Sequence, residues 1–418
     1  MTRLPWIVTV LLSWLIASPA SAAQEEASGR DLPIAGRWHA TLDLNGHDLN
    51  FVFELRRAGA RWTAAITNAE ESITVEAVTV ARGEVTIAFP HFDSRIEAVL
   101  ADDGRSMRGA WSVYRGGARG TASVPFSAER SEAPRYRVES KGEPRELPAR
   151  WSVSFADSDE RAVGVFEQST HDRSIVAGTF LTTTGDYRFL EGVLDGDRLT
   201  LSAFDGAHAF LFEARLQPDG SLLGVFYSGD WWIEAFHAVP DPAAALPDLF
   251  SLTRWEQDAD LGALTYPDLD GNPVNLGAFA AGSPTIIALT ASWCPNCADA
   301  AGYLKELHER YGPGGLKIIA LSFERHADFE KAAAQARASA RHHGSAYPVL
   351  VAGLADKGAA SEALPALDRV RAYPSTIFIG RSGEVVAVHQ GYAGPAAGEA
   401  HAELRARFEG IIERMLTR

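Results

Sequence analysis

A series of short β-type segments, separated by glycine and Asp-Gly turns, occurs twice in succession in the first 240 residues of this 418-residue chain. The first series has room for eight strands between Gly36 and Glu129, and the second runs from Arg150 to Val239. Each series opens on an Arg-Trp pair, which places Trp38 and Trp151 at equivalent positions. We therefore predict an internal duplication.

Each copy is about 90 residues long, which suits a small eight-stranded up-and-down barrel. Closing the sheet into a barrel removes the exposed edges that an open antiparallel sheet would leave. A sandwich of two sheets is the alternative arrangement. We predict one barrel-like domain over residues 31–130 and a second over residues 148–242, joined by a charged, proline-containing linker.

The pattern changes class after the proline-rich stretch around Pro240, Pro242 and Pro247. Beyond it, apolar strand-like segments alternate with helical stretches, which indicates a mainly parallel sheet covered by helices. The helices are predicted at about Ala298 to Arg310, Ala327 to His343 and Ala397 to Leu416. The fold class is thus a multidomain protein, with a duplicated antiparallel all-β region followed by an α/β domain over residues 249–418. Few contacts should cross the boundary, so we expect this last domain to fold independently.

The first 22 residues resemble a cleavable secretory signal. Arg3 precedes an apolar run from Leu4 to Ala17, and Ala20-Ser21-Ala22 fits a signal peptidase site. An uncleaved anchor is the alternative, although the run is short for a membrane span. We expect a periplasmic protein with no stable membrane insertion after cleavage. The net charge of −15, without a long basic run, argues against a nucleic-acid partner.

The chain has two cysteines, both in the motif Cys294-Pro295-Asn296-Cys297. The motif follows a buried strand and opens a predicted helix, so residues three apart share a face and both sulfurs can meet. The helix start also places Cys294 beside unpaired N–H groups and the positive end of the helix dipole, which favours its thiolate. Such a pair can attack another disulfide and then resolve the mixed disulfide. We therefore expect a redox-active disulfide between Cys294 and Cys297 and no other cofactor.

Other uses of the two thiols fit less well. A zinc site would need further ligands from histidines or carboxylates. A peroxiredoxin would carry a threonine three residues before its cysteine, where this chain has Ala291. Copper handling remains open: a periplasmic copper-binding chaperone could combine Cys294 and Cys297 with His389, although a structural role for that histidine is the simpler interpretation.

Residues 249–418 resemble the thioredoxin fold, and specifically the extracytoplasmic TlpA/ResA-type thiol-disulfide oxidoreductases. The resemblance rests on a hairpin, the cysteine motif, an added helix and strand, a Tyr-Pro segment and a last hairpin, which occur in the expected order. These features are Asp268 to Leu276, Ala291 to Cys297, the insertion before Tyr347, Tyr373 to Ile379, and Gly383. The duplicated β region looks like an extension found on some of these proteins.

The resemblance implies a disulfide reductase of periplasmic client proteins that is recharged by a membrane thiol-reductant transporter. Cys294 is then the nucleophile and Cys297 the resolving thiol. Pro374 is implied to be cis and to face the cysteines, with Trp293 as a further catalytic residue. The client would contact Tyr373, Ser375, Pro295 and Asn296.

The chain departs from this family at its usual proton acceptors. Ala300 stands where a TlpA/ResA glutamate often lies, and Ala288 stands where thioredoxins bury an aspartate. We expect Glu324, at the end of a strand on the active-site edge, to substitute, with Asp299 as the next choice. A strand-end carboxylate in solvent is the alternative for Glu324.

Polar and aromatic residues are concentrated in the second β copy. Barrel packing or turns would explain most of them, and a binding mouth is the alternative, in which case the β domains could be the principal binding module. They are Asp186, Tyr187, Asp205, His208, Trp231 and Trp232.

Overall fold

The computed structural model describes residues 34–140, 144–256 and 259–417. The predicted signal at residues 1–22 lies outside these residues.

The first β copy is a closed eight-stranded barrel. Consecutive strands pair antiparallel, and the last strand returns to the first with Trp38 opposite Arg130. The barrel prediction is confirmed and the sandwich is excluded. The strands are β1 (Gly36–Asp43), β2 (Asp48–Ala58), β3 (Arg61–Asn68), β4 (Glu71–Ala81), β5 (Glu84–Phe89), β6 (Ser94–Leu100), β7 (Ser106–Tyr114) and β8 (Thr121–Arg130).

The second copy is also a closed antiparallel barrel, in which β10 pairs with β11 and one very short strand is added beside β11. The equivalent tryptophans are both fully buried: the Trp38 indole donates a hydrogen bond to the Ile34 carbonyl at 2.9 Å, and the Trp151 indole to the Pro148 carbonyl at 2.6 Å. This shared detail supports the duplication. The strands are β9 (Arg150–Phe155), β10 (Arg161–Gln168), β11 (Ile175–Thr182), β12 (Gly185–Asp186), β13 (Leu190–Asp195), β14 (Arg198–Phe204), β15 (Ala209–Leu216), β16 (Leu222–Ser228) and β17 (Trp232–Pro240).

The C-terminal part is a thioredoxin-like α/β domain with a small hairpin before its main sheet. Its elements are β18 (Thr265–Pro267), β19 (Pro273–Asn275), α1 (Leu276–Ala280), β20 (Thr285–Thr290), α2 (Pro295–Tyr311), β21 (Lys317–Glu324), α3 (Phe329–His343), β22 (Val349–Leu354), α4 (Lys357–Ala363), β23 (Ser375–Ile379), β24 (Val385–Gln390) and α5 (Glu399–Thr417).

The main sheet has the order β22-β21-β20-β23-β24. Only the β20–β21 and β21–β22 pairings are parallel, because β23 runs antiparallel to β20 and forms a hairpin with β24. The expectation of a mainly parallel sheet was therefore wrong for β23 and β24, which form a tight hairpin, and strands joined by such a hairpin pair antiparallel. Side chains of α2 and α5 pack together on one face of the sheet. None of the helices in the described ranges is long and apolar enough to cross a membrane.

The segment predicted as a charged, proline-containing linker between the barrels is packed between them. The Arg135 side chain is only 5% exposed and pairs with Glu191 at 3.1 Å. It also donates to the Asn50 carbonyl in the first barrel and to the Ser202 hydroxyl in the second, each at 2.8 Å. A buried guanidinium needs such partners, and here they come from both barrels.

The second barrel also inserts a side chain into the first. Phe204, at the end of β14, packs against Phe51 and Trp111 of the first barrel, with ring centroids 4.5 and 5.3 Å apart. The turn that follows presents the Gly206 carbonyl to the Trp111 indole at 3.2 Å. A Cβ at Gly206, whose φ is +90°, would collide with the Phe89 ring, so the close approach requires glycine.

A buried ion cluster joins all three domains around Arg188. This arginine, from the second barrel, pairs with Glu71 of the first barrel at 2.6 Å and with Asp299 of α2. Asp205 lies 3.6 Å away. The expectation that few contacts cross the boundary before residue 249 therefore does not hold, because each of these groups needs a partner in another domain to offset its burial.

The cluster makes stability depend on pH. Burial raises the pKa of Asp299 to about 7, although Arg188 opposes the shift. The folded protein thus holds this proton more tightly than the unfolded chain, and the resulting stability is lost as pH rises through about 7. We expect the free energy of unfolding of the wild type to fall relative to that of Asp299→Asn between pH 5.5 and pH 8.5, as measured by denaturant titration of both proteins across that range.

The matched control is Asp197→Asn, which removes an exposed carboxylate from the second barrel. It should keep the wild-type pH dependence. An Asp299→Asn protein with an unchanged dependence would contradict this account of the cluster.

Candidate active site

The cysteine motif lies where β20 ends and α2 begins. Cys294 is the N-cap of α2 in an extended conformation, and Pro295 is the first helical residue, where a missing N–H costs the helix nothing. The Cys297 amide donates to the Cys294 carbonyl at 3.0 Å, which closes the first turn. The motif therefore opens a helix, as predicted. The helix begins at Pro295, three residues before the predicted start at Ala298.

The two thiols have different surroundings. Both are free; Cys294 is 8% exposed and Cys297 is 2% exposed. The Cys294 thiol donates to the Tyr373 carbonyl at 3.5 Å. Burial raises the pKa of the Cys297 thiol well above its usual range, and its neighbour Cys294 acts in the same direction. Cys297 is thus the shielded member of the pair, as its place one turn into the helix suggests.

The Tyr373–Pro374 segment lies beside the pair. The peptide bond before Pro374 is cis, as the family resemblance implies. The Tyr373 ring packs between Trp293 and Phe323, with centroid distances of 5.7 and 5.4 Å, and its buried hydroxyl has no hydrogen-bond partner among the described residues. The Ser375 hydroxyl donates to the Ala372 carbonyl at 2.9 Å and so fixes the turn. This segment puts a backbone carbonyl, rather than a charged side chain, next to Cys294.

Two interactions position the Trp293 side chain. Its indole donates to the Phe323 carbonyl at 3.0 Å, and the Arg325 guanidinium lies 4.7 Å from the ring centroid. Burial lowers the pKa of Arg325 to about 10, and Arg115 of the first barrel acts in the same direction. Sequence reasoning missed Arg325; its position directly after Glu324 at the end of β21 was the available signal.

Glu324 is buried beneath the motif and does not face solvent. It is 1% exposed and accepts hydrogen bonds from the Ser292 amide at 3.1 Å and from the Ser292 and Ser322 hydroxyls at 2.5 Å each. Burial raises the pKa of Glu324, while the two serines oppose the shift. The solvent-exposed alternative was therefore wrong.

A small cavity adjoins both Cys297 and the serines that donate to this carboxyl. Thr290 lies opposite Ser322 in the parallel β20–β21 pair, and its side chain acts to lower the pKa of the Cys297 thiol, against the larger effect of burial. The cavity of about 30 Å³, enough for one water molecule, adjoins Cys297, Thr290 and Ser322. The shielded thiol therefore lines the same small cavity as the Ser292 and Ser322 partners of Glu324.

The second barrel contacts the motif itself. The Asn296 amide donates to the Asp186 carbonyl at 3.2 Å, and the Asp186 carboxylate accepts from the Gly394 amide at 2.5 Å. Asn296, predicted to contact a client, is thus engaged by the barrel. Asp299, the second candidate for proton acceptor, belongs to the Arg188 cluster.

His389 lies in a different environment. It is 2% exposed and packs against Phe250 and Phe408, with ring centroids 4.6 and 5.1 Å away. Burial lowers its pKa to about 3. No three His, Cys, Asp or Glu side chains of the described residues are grouped so as to hold a metal ion, so His389 does not join the cysteines.

The polar and aromatic residues of the second barrel are mainly structural. Asp186 and Asp205 are buried at the domain contacts already described, and Tyr187 packs among the barrel's interior phenylalanines. His208 stacks on Phe210 at 4.5 Å. The tryptophan pair differs: Trp231 lies against Trp111 and Arg115, and Trp232 remains 47% exposed.

Comparison with known proteins shows that the region containing this site is similar to a known family. No curated protein matches the chain in sequence. Among solved structures, a secreted disulfide oxidoreductase of Mycobacterium tuberculosis homologous to E. coli DsbE is 18% identical, over 35% of this chain and 95% of that one, with a TM-score of 0.27. A thiol:disulfide interchange protein of the thioredoxin family from Chlorobium tepidum is 20% identical, over 38% of this chain and 99% of that one, with a TM-score of 0.28. Residues 258–388, which include both cysteines and Pro374, match the AhpC/TSA family model, so the C-terminal domain is of this thioredoxin-like type.

Proposed function

We propose that the chain is an extracytoplasmic thiol-disulfide oxidoreductase that reduces disulfides of client proteins. The observation that carries the proposal is the pair of free thiols at the start of α2, one at the N-cap against the Tyr373–Pro374 backbone and one shielded a turn further in. The AhpC/TSA match over the same residues supports it. The location rests on the signal-like N-terminus, and the reducing direction on the resemblance to TlpA/ResA-type proteins.

Reduction takes place in two exchange steps. The Cys294 thiolate attacks one sulfur of the client disulfide, the client S–S bond breaks, and the other client sulfur leaves as a thiolate that takes up a proton. Cys297 then attacks the Cys294 sulfur and displaces the client's remaining sulfur. The client gains two electrons and two protons, and the protein is left with a Cys294–Cys297 disulfide. A membrane thiol-reductant transporter would supply the electrons for the next cycle.

The second step must remove a proton from Cys297, whose raised pKa keeps it in the thiol form. Glu324 is a buried carboxyl whose partner Ser322 lines the same small cavity as Cys297 and Thr290. We assign Glu324 the role of accepting this proton, which takes the place of the acceptors lost at Ala288 and Ala300. It acts through hydroxyls and water rather than by contact with the sulfur.

The two cysteines should behave differently when each is replaced. Cys297→Ala keeps the nucleophile but has no resolving thiol, so mixed disulfides with oxidised client peptides should accumulate and disappear on addition of a reductant. Cys294→Ala should give neither turnover nor trapping, because the remaining thiol is buried and holds its proton. Mass spectrometry of the adducts measures both. Trapping by Cys294→Ala but not by Cys297→Ala would reverse the order of attack and refute the assignment.

Replacing Glu324 should slow only the second step. In Glu324→Gln we expect the mixed disulfide to form at the wild-type rate and to resolve roughly tenfold to a hundredfold more slowly, with the rise in rate with pH that accompanies Glu324 ionisation lost. Rapid acid quenching followed by mass spectrometry separates the two steps. Glu324→Asp should restore the pH-dependent rise, whereas a purely structural role would alter thermal stability and leave the pH profile intact. A wild-type pH profile in Glu324→Gln would contradict the assignment.

A further inference from the structure

One flank of the cysteine motif is closed by the second barrel. The turn between β11 and β12 lies against the loop after β24: the Gln390 side chain donates to the Thr183 carbonyl at 3.0 Å. A Cβ on Gly185 would collide with the Asn296 side chain, and one on Gly391 would lie 2.8 Å from the Thr183 carbonyl oxygen. Backbone packing this close leaves no space for a client chain on that side.

The opposite flank is formed by Trp293, Arg325 and a turn of the first barrel. The Arg325 guanidinium donates to the Tyr114 carbonyl at 2.7 Å and packs against Gly116. The turn between β7 and β8 therefore lies next to the indole that follows β20. In the same turn, Arg115 stacks over Trp231 at 4.1 Å, and Arg119 is exposed.

This flank carries an excess of positive charge in a chain whose net charge is −15. Arg325 interacts electrostatically with the Cys294 sulfur and with Arg115 and Arg119 of the first barrel. Arg115 and Arg119 extend the charge onto the first barrel. The partly exposed acidic groups nearby are fewer: Asp230 interacts with Arg115, and Asp93 pairs with His326 at 2.9 Å, whereas Glu324 is turned inward toward its serines.

We propose that this flank, formed by Arg115, Arg119, Arg325, Trp231 and Trp293, is the client-docking surface, and that it selects extended client segments with acidic residues beside the cystine. This inference rests on the proposed function and adds a substrate class to it. Arginines bind carboxylates through paired N–H donors, and the indole faces offer apolar surface between the charges. Complementary charge of this kind acts mainly on the rate of encounter.

The test measures the second-order rate of mixed-disulfide formation by the full chain with three disulfide-linked peptides that differ only in flanking Asp, Asn or Lys residues. We expect the Asp peptide to react roughly tenfold faster than the Asn peptide at low salt and the Lys peptide to react more slowly than both, with the differences shrinking as salt is raised. Equal rates for the three peptides, or a preference that salt does not weaken, would overturn the proposal.

Reversing the charge of one arginine tests where on the protein the docking surface lies. Arg119→Glu, and in milder form Arg119→Gln, should lower the rate for the Asp peptide and raise it for the Lys peptide. Arg105→Glu makes the same change in the exposed turn at the other end of β7 and should match the wild type. An equal effect of the Arg105 and Arg119 variants would contradict the assignment.

An uncharged aromatic disulfide, 2,2′-dithiodipyridine, distinguishes the two proposals. If the wild type oxidises its dithiol against this reagent but shows no charge preference among the peptides, only the docking surface is refuted. If no disulfide is reduced, the proposed function itself fails.

Discussion

The contact between the second barrel and the first turn of α2 is the interaction on which the site's arrangement depends. Asp186 accepts hydrogen bonds from the Asn296 side chain and from the Gly394 amide, and Arg188 forms an ion pair with Asp299. These bonds attach the start of α2, where both cysteines lie, to the second barrel. Because they are buried, removing one partner would leave another polar group unsatisfied, which is costly. The barrels are thus part of the redox site.

The duplication explains how the barrels reach this position. A single closed barrel presents only turns at its ends, and here each barrel uses them for contact. The second barrel inserts Phe204 and Gly206 into the first, and the first barrel reaches the end of β21 through Tyr114, Gly116 and a 2.9 Å pair between Asp93 and His326. Each of the three domains therefore contacts the other two close to the cysteine motif.

Much of this fold could be predicted from local sequence patterns. Short β-type segments separated by turn residues predicted both barrels, and the motif after a buried strand predicted the helix start at Cys294, because these features depend on residues close together in the chain. The short helices α1 and α4 were missed, since five to seven residues carry little periodicity. The roles of Arg188 and Arg325 could not be predicted, because their partners lie more than a hundred residues away in other domains. Glu324 was identified by its strand-end position, but its burial among hydroxyls needed the structure.

We propose that Cys294 and Cys297 form a reversible two-electron couple poised for reduction. Equilibration of the full chain with glutathione buffers, followed by alkylation and mass spectrometry, measures it directly. We predict a single transition between dithiol and intramolecular disulfide, at a potential near or below thioredoxin's, about −270 mV. A potential near that of DsbA, about −120 mV, would contradict the reducing role. Glutathione adducts without any intramolecular disulfide would contradict the couple itself.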